Sequence, residues 1–234
     1  PYLSQWIFDI QHTFAQDIFL ELGYTGSTGQ KLPQRRNLNI AALDPTGSIP
    51  IAQRVPYPQY GFILLANNGG WSSYQAFTAR VEKRFSKGIY FLGSYTYQKS
   101  LDLGSTDEFS AISADFKKFD RGISSFDVPH RFVGSFLYDL PFGRGKSLLG
   151  GISGPANAIL GGWQLNGIVT MSKGQYQTPT LNTDYLNIGS FGTSRPDIIG
   201  DYAAGRSLPY AYVNPAAFAT PATHVEGNAG RNSI

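Results

Sequence analysis

The chain contains no cysteine. That excludes disulfides and every thiolate-ligated metal site. Charge is scarce as well. Asp, Glu, Lys and Arg make up 15% of the 234 residues, against about 25% in soluble proteins. The net charge is only +3, and no basic run exceeds the pairs Arg35-Arg36 and Lys117-Lys118. No nucleic-acid partner is expected from such a chain. A membrane-spanning helix needs about 20 apolar residues, and none is present. The uncharged stretch 147–172 is interrupted by Pro155, Asn157, Gln164 and Asn166, and its second half alternates. Catalytic signatures are missing too: there is no Gly-x-Ser-x-Gly elbow and no His-Glu-x-x-His pair. The Gly-rich GYTGSTG at 23–29 lacks the Lys-Ser/Thr pair and following helix of a phosphate loop.

What is abundant points one way. There are 16 Phe and 14 Tyr, with 27 Gly and 14 Pro. Many aromatics and turn formers with few charges suit an all-β protein with long loops, and also the aromatic girdles of an outer-membrane barrel.

The clearest pattern runs from Ser73 to Lys99. Phe77, Ala79, Val81 and Phe85 alternate with Thr78, Arg80, Glu82 and Arg84. Successive strand residues point to opposite faces, so one face is apolar and the other charged. Ser86-Lys87-Gly88 supplies the reversal. The return strand places Ile89, Phe91, Tyr95 and Tyr97 on one face and Ser94, Thr96 and Gln98 on the other, with Tyr90 and Leu92 as exceptions.

The same logic predicts a strand over Ser4 to Phe14, with Trp6, Phe8, Ile10 and Phe14 on one side and Asp9 and Gln11 on the other. Ala15-Gln16-Asp17 turns into a partner over Ile18 to Thr25, with Glu21 on its polar side. A long irregular connection is expected from Gly26 to about Gly70. A second follows from Ser100 to Val128, carrying Asp102, Asp107, Glu108, Asp115, Asp120 and Asp127; it reads as a solvated acidic loop, with a calcium site on these carboxylates as the alternative, although their spacing matches no EF-hand loop. Another strand begins at His130, with Phe132, Gly134, Phe136, Tyr138 and Leu140 opposite Arg131, Ser135 and Asp139. Pro141 to Gly145 closes it, and a connection follows to about Gly161. Trp163 to Ser172 then alternates Trp163, Leu165, Gly167, Val169 and Met171 with Gln164, Asn166, Thr170 and Ser172. From Gly174 to Ile234 only short fragments alternate.

Strands near ten residues match the ~9–11 needed to cross a bilayer at a tilt. Short turns alternate with long loops, the asymmetry of an outer-membrane barrel. The fold class expected is therefore all-β: an antiparallel, up-and-down transmembrane β-barrel segment, incomplete, with about six clear strands and long extracellular loops. In a barrel the polar face lines the lumen, giving Asp9, Glu21, Arg80, Glu82, Arg84, Arg131, Asp139, Gln164 and Asn166 as lumen candidates. Cross-strand pairing of opposite charges is the structural alternative for these residues. Tyr57, Tyr60, Trp71 and Tyr74 are the candidates for ligand contact in the loops. Asp127 and His130 could form an acid–base pair, or simply cap a strand entry at the rim. No enzymatic activity, metal or cofactor is expected.

Seven phrases, in order, carry a resemblance: QWIFDIQ, ELGYTGSTGQKLP, YQAFTARVEKRFSKGIYFLGSYTYQKSLD, FDVPHRFVGSFLYDLPFGRGK, LGGWQLNGIVTMSKGQ, VNPAAFATP and GNAGRNS. They resemble the C-terminal barrel region of Oar-like TonB-dependent outer-membrane transporters of the acidobacterial type, which often carry an N-terminal carboxypeptidase-regulatory-like domain. The resemblance implies an outer-membrane location in a Gram-negative bacterium and a barrel of about 22 strands. It also implies an N-terminal plug domain, a TonB-contacting segment and lipid around the barrel. The whole chain, 1–234, would then be part of one barrel domain, with plug, further strands and C-terminal end outside it. The cargo would be a scarce small ligand: an oligosaccharide, a peptide or a metal chelate. Two alternatives stand beside this: a structural or adhesive surface protein on the same barrel, and a soluble secreted β-sandwich that binds carbohydrate. The sandwich would bury Phe77, Phe91, Phe132 and Phe136 beneath a second layer of this chain.

Overall fold

The computed structural model describes residues 1–14, 17–105, 116–189, 194–207 and 212–234, without the side chains of 116 and 117. Its main element is a seven-stranded antiparallel sheet in the order β1-β2-β3-β4-β6-β7, with β5 paired to β4. The strands are β1 (Tyr2–Phe14), β2 (Ile18–Asn37), β3 (Leu64–Ser86), β4 (Ile89–Asp102), β5 (Gly122–Ile123), β6 (His130–Asp139) and β7 (Gln164–Ser172). The sheet does not close on itself, and β1 and β7 form its edges.

Register shows why these residues form a sheet. Residues directly opposite share a face, so each row can be followed across the strands. One row reads Ile10, Leu22, Ala79, Tyr95, Phe132, Met171. The next toward the loops reads Phe8, Tyr24, Phe77, Tyr97, His130. The alternation within each strand has thus become one continuous apolar face. That face is not covered. Phe77 is 42% exposed, Phe91 and Phe136 37%, and Phe132 is half-buried. The soluble sandwich required these four to be buried together, and the structure rules that out. Glycines on the same face are filled by neighbouring rings. A Cβ on Gly167 would sit 2.8 Å from the Phe136 ring, and one on Gly26 would collide with Trp6. Such close approach admits only glycine.

The turn at Lys87-Gly88 has φ of +51° and +81°. Positive φ at both central positions gives the tight hairpin whose twist matches the strands. Just before it, register shifts between Lys83 and Ser86, and Ser86 pairs with Ile89. The expected alternation through Arg84 and Phe85 therefore breaks at a bulge. In the first turn, Ala15 and Gln16 lie outside the described residues. Asp17 is tied to the second turn through Lys83 (3.1 Å) and Ser86. Those bonds, Ser86 foremost, lower its pKa below the usual carboxylate value.

Two expected boundaries are corrected. The first long connection does not begin at Gly26: β2 runs 20 residues to Asn37, and β3 already starts at Leu64. The connection is thus 38–63. Gly, Ser, Thr and Asn in 26–37 and 64–72 gave no apolar alternation, but the two arms pair with each other beyond the apolar band. Pro33 lacks a donor and falls where register shifts between Leu32 and Gln34, as a strand proline requires. The third reversal spans 140–163 and includes α3 (Gly154–Leu160). It ends close to Gly161, where the connection was expected to end.

Apart from the sheet, the only buried apolar cluster among the described residues is Ile40, Ala41, Leu186 and Ile188, flanked by Leu43, Ile51 and Val55. It joins the 38–63 connection, with α1 (Ile51–Arg54), to the tail that follows β7. The hydrophobic core therefore lies in the loops, not under the sheet.

Candidate functional site

The polar face is also built in register. One row reads Asp9, Gly23, Thr78, Thr96, Arg131, Ser172, and another Gln11, Glu21, Arg80, Ser94, Val133, Thr170. Glu82 lies opposite Leu92, Asp139 opposite Gln164, and Asn166 opposite Leu137. The structure thus brings Asp9, Glu21, Arg80, Glu82, Arg131, Asp139, Gln164 and Asn166 to one face. Arg84, inside the bulge, is no longer assigned by alternation.

Most charges on this face pair locally. Arg80 meets Glu82 at 2.8 Å and Glu21 at 3.8 Å, and its guanidinium lies 5.8 Å from the Phe19 ring. Gln164 Nε2 donates to Asp139 at 2.7 Å, and Lys146 approaches Asp139 at 3.7 Å. Arg131 is different. It is exposed, flanked in register by Thr96 and Ser172, and its side chain has no hydrogen bond or ion pair among the described residues. A cavity opens there, lined by Arg131, Thr78, Thr96 and Thr170, with Tyr74 and Phe126 as its aromatic walls. Tyr74 Oη donates to Gln98 Oε1 at 3.0 Å.

The four loop aromatics do not form a single loop site. Tyr57 and Tyr60 do lie on the 38–63 connection, both exposed. There Asn39 holds the backbone by donating to the carbonyls of Tyr60 and Gly61 (2.8 and 2.7 Å) and accepting from the Tyr57 amide (2.9 Å). Trp71 and Tyr74 are strand residues of β3, because the strand begins earlier than its apolar pattern. Trp71 lies 4.6 Å below the Arg121 guanidinium, a cation–π arrangement.

The acidic connection after β4 is the larger correction. Asp107, Glu108 and Asp115 lie outside the described residues. The other three acids are not solvated: Asp102, Asp120 and Asp127 are 4%, 2% and 1% exposed. A buried carboxylate needs compensating donors, and here the tail supplies most of them. Arg231 donates to the Asp102 carboxylate and carbonyl, to the Asp120 carbonyl (2.7 Å) and to Ser105 Oγ (3.1 Å). Arg195 reaches Asp120 at 3.6 Å and donates to the Phe119 carbonyl at 2.8 Å, the last residue of α2 (Phe116–Phe119). Asn232 Nδ2 donates to the Ile123 carbonyl at 2.6 Å. Asp127 instead accepts from the Ser100 amide at 3.0 Å, and burial raises its pKa. His130 faces Tyr95 Oη at 2.8 Å, so Asp127 and His130 do not form a pair. No cluster of potential metal ligands occurs among the described residues.

The tail also grips the first connection. Arg54 Nη2 donates to the Asn187 carbonyl at 2.7 Å. Within that connection the Asp44 carboxylate accepts from Thr46 Oγ1 (2.6 Å) and from the Ile49 amide (2.8 Å), which hold its pKa down to about 2. Small elements finish the tail: β8 (Asp197–Ile198) paired with β9 (Phe218–Ala219). Loops and tail thus make one folded cap at the end of the sheet opposite the tight turns. Sequence reasoning missed the cap's ion pairs. Their only sequence signal is that the acids of 100–128 lie far from the tail arginines that neutralise them.

An antiparallel sheet with one bare apolar face, one charged face, short turns at one end and folded loops at the other defines a segment of transmembrane β-barrel. The family described as outer membrane beta barrel domain matches residues 1–234, and the chain belongs to it. Its location is accordingly the outer membrane of a Gram-negative bacterium. No curated protein and no solved structure matches the chain.

Proposed function

We propose that this chain is part of the barrel of a TonB-dependent transporter that imports a scarce small ligand and catalyses no reaction itself. The observation that carries the reading is the polar face. It is furnished with charges and hydroxyls along its length while the opposite face is bare and apolar, as a water-filled passage through lipid requires. The Oar-like phrases supply the link to TonB. An open sheet edge leaves backbone groups unsatisfied in hydrocarbon, so β1 and β7 need further strands to close the barrel. A plug domain would meet the paired charges around Arg80 and Asp139, and TonB would act through it.

The test is retention of the full-length protein, in outer-membrane vesicles, by the immobilised periplasmic domain of TonB. Retention that is lost on deleting the N-terminal contact segment is the expected result. A full-length protein that is never retained would refute transport and leave a structural surface role.

A further inference from the structure

We infer that the cavity around Arg131 is a binding site for an acidic saccharide, a sugar chain bearing carboxylates. Three observations meet there. Arg131 is a guanidinium on the polar face without an ion pair or hydrogen bond among the described residues, whereas Arg80 and Asp139 on the same face are partnered. Its planar fork matches a carboxylate in a two-point contact, a geometry that adds selectivity as well as attraction. Beside it, Thr78, Thr96, Thr170 and Ser172 line the same cavity. Hydroxyls donate and accept, which suits a ligand that is itself rich in hydroxyls. An apolar peptide would leave that row unused.

The third observation is the wall. Phe126 is 56% exposed although it stands in the cap beside buried Asp127, and it lines the cavity with Tyr74. Aromatic walls with a few placed polar groups are the usual make-up of a ligand pocket. The Tyr74 hydroxyl is fixed by Gln98, so the ring presents a settled surface. The nearest buried acid, Asp127, has its Oδ1 engaged by the Ser100 amide. It does not compete for Arg131.

This inference rests on the polar face lining an aqueous passage, as proposed above, but the two can fail separately. The full-length protein in detergent is titrated calorimetrically with trigalacturonate, with maltotriose and with inorganic phosphate. Trigalacturonate should bind, and maltotriose should bind at least about tenfold more weakly, since charge-assisted hydrogen bonds carry the difference. Arg131→Gln should lower trigalacturonate affinity on the order of tenfold or more and lower maltotriose affinity distinctly less. Thr96→Val should weaken both sugars. Heat-modifiable migration on gels confirms that each variant remains a folded barrel. Equal binding of the two sugars, an unchanged Arg131→Gln titration, or displacement by phosphate at equal concentration would each overturn the site. None of these readings involves TonB. Binding without TonB retention removes transport and keeps the site, and retention without binding does the reverse.

Discussion

Arg231→Ala should release the tail from the cap while leaving the sheet intact. The guanidinium is 13% exposed and its partner carboxylate, Asp102, 6%. Besides that carboxylate it serves the Asp102 and Asp120 carbonyls and Ser105 Oγ. Removing one member of a buried pair strands the other charge, at a cost of about 3–5 kcal/mol. Ser105 Oγ still donates to Asp102 at 2.9 Å, which favours the lower end of that range. Local opening of the tail should therefore rise on the order of 10²-fold or more. Hydrogen exchange of amides in 227–234, in the full-length protein, reads that equilibrium directly. The Asn232 amide, which donates to Thr178 Oγ1 at 2.8 Å, is the most informative single probe. Strand amides of β3 and β4 should exchange as before. The double substitution Arg231→Met with Asp102→Leu should recover much of the protection, because it removes both charges and keeps volume. If Arg231→Ala changes tail exchange by less than about fivefold, roughly 1 kcal/mol, the pair does not hold the cap and the reasoning fails.

Two further predictions follow from burial and from facing. Burial raises the Glu226 carboxyl to about 7, with Arg195 opposing the shift. A carboxyl raised in the folded state favours folding at low pH and loses that contribution as pH climbs from about 4.5 to about 7; tail amides should show higher protection factors, each rate normalised to the intrinsic exchange rate at its own pH, at pH 5.5 than at pH 8.5, and Glu226→Gln should flatten the difference. An equal or reversed pH effect would show that Arg195 dominates Glu226. On the sheet, Phe77→Arg places a charge on the apolar face and should cost about 2–4 kcal/mol in a barrel-folding titration into lipid. Ser135→Arg, on the polar face opposite Leu92 and Ile168, should cost less than half of that, and equal costs would contradict the assignment of faces.

The hairpin of β3 and β4 was legible because its two faces differ at nearly every residue, and register copies that difference into its neighbours. Strand ends were less legible. Residues 26–37 and 64–72 lie beyond the apolar band, so nothing in their side chains marks one face from the other. They are held by backbone pairing, which leaves no trace in hydropathy. The bulge at Arg84 and Phe85 was hidden for a related reason: an inserted residue shifts the alternation without changing the composition. On the polar face, eight of the nine residues expected there share it by register, but no periodicity could say that the Arg131 side chain would lack a partner while Arg80 and Asp139 have theirs. The cap was the least legible part. Arg231 and Asp102 are 129 residues apart, and a lone arginine in a Gly- and Asn-rich tail looks solvated until the fold delivers its carboxylate.

The chain's stability is therefore divided between two sources. The sheet's apolar face has no covering layer among the described residues, so its burial must come from outside the chain, and lipid supplies it. The cap carries its own small core at Ile40, Ala41, Leu186 and Ile188, together with buried ion pairs that water would otherwise weaken. These two sources respond to different perturbations. A charge at Phe77 should impair insertion without loosening the tail, and loss of Arg231 should loosen the tail without impairing insertion. The tail is clasped to the strands where Arg231 reaches Asp102 at the end of β4 and the Gly122 carbonyl in β5, two residues that face each other in register. That leaves the Arg131 cavity bounded on one side by the strands and on the other, at Phe126, by the part of the chain that closes over them.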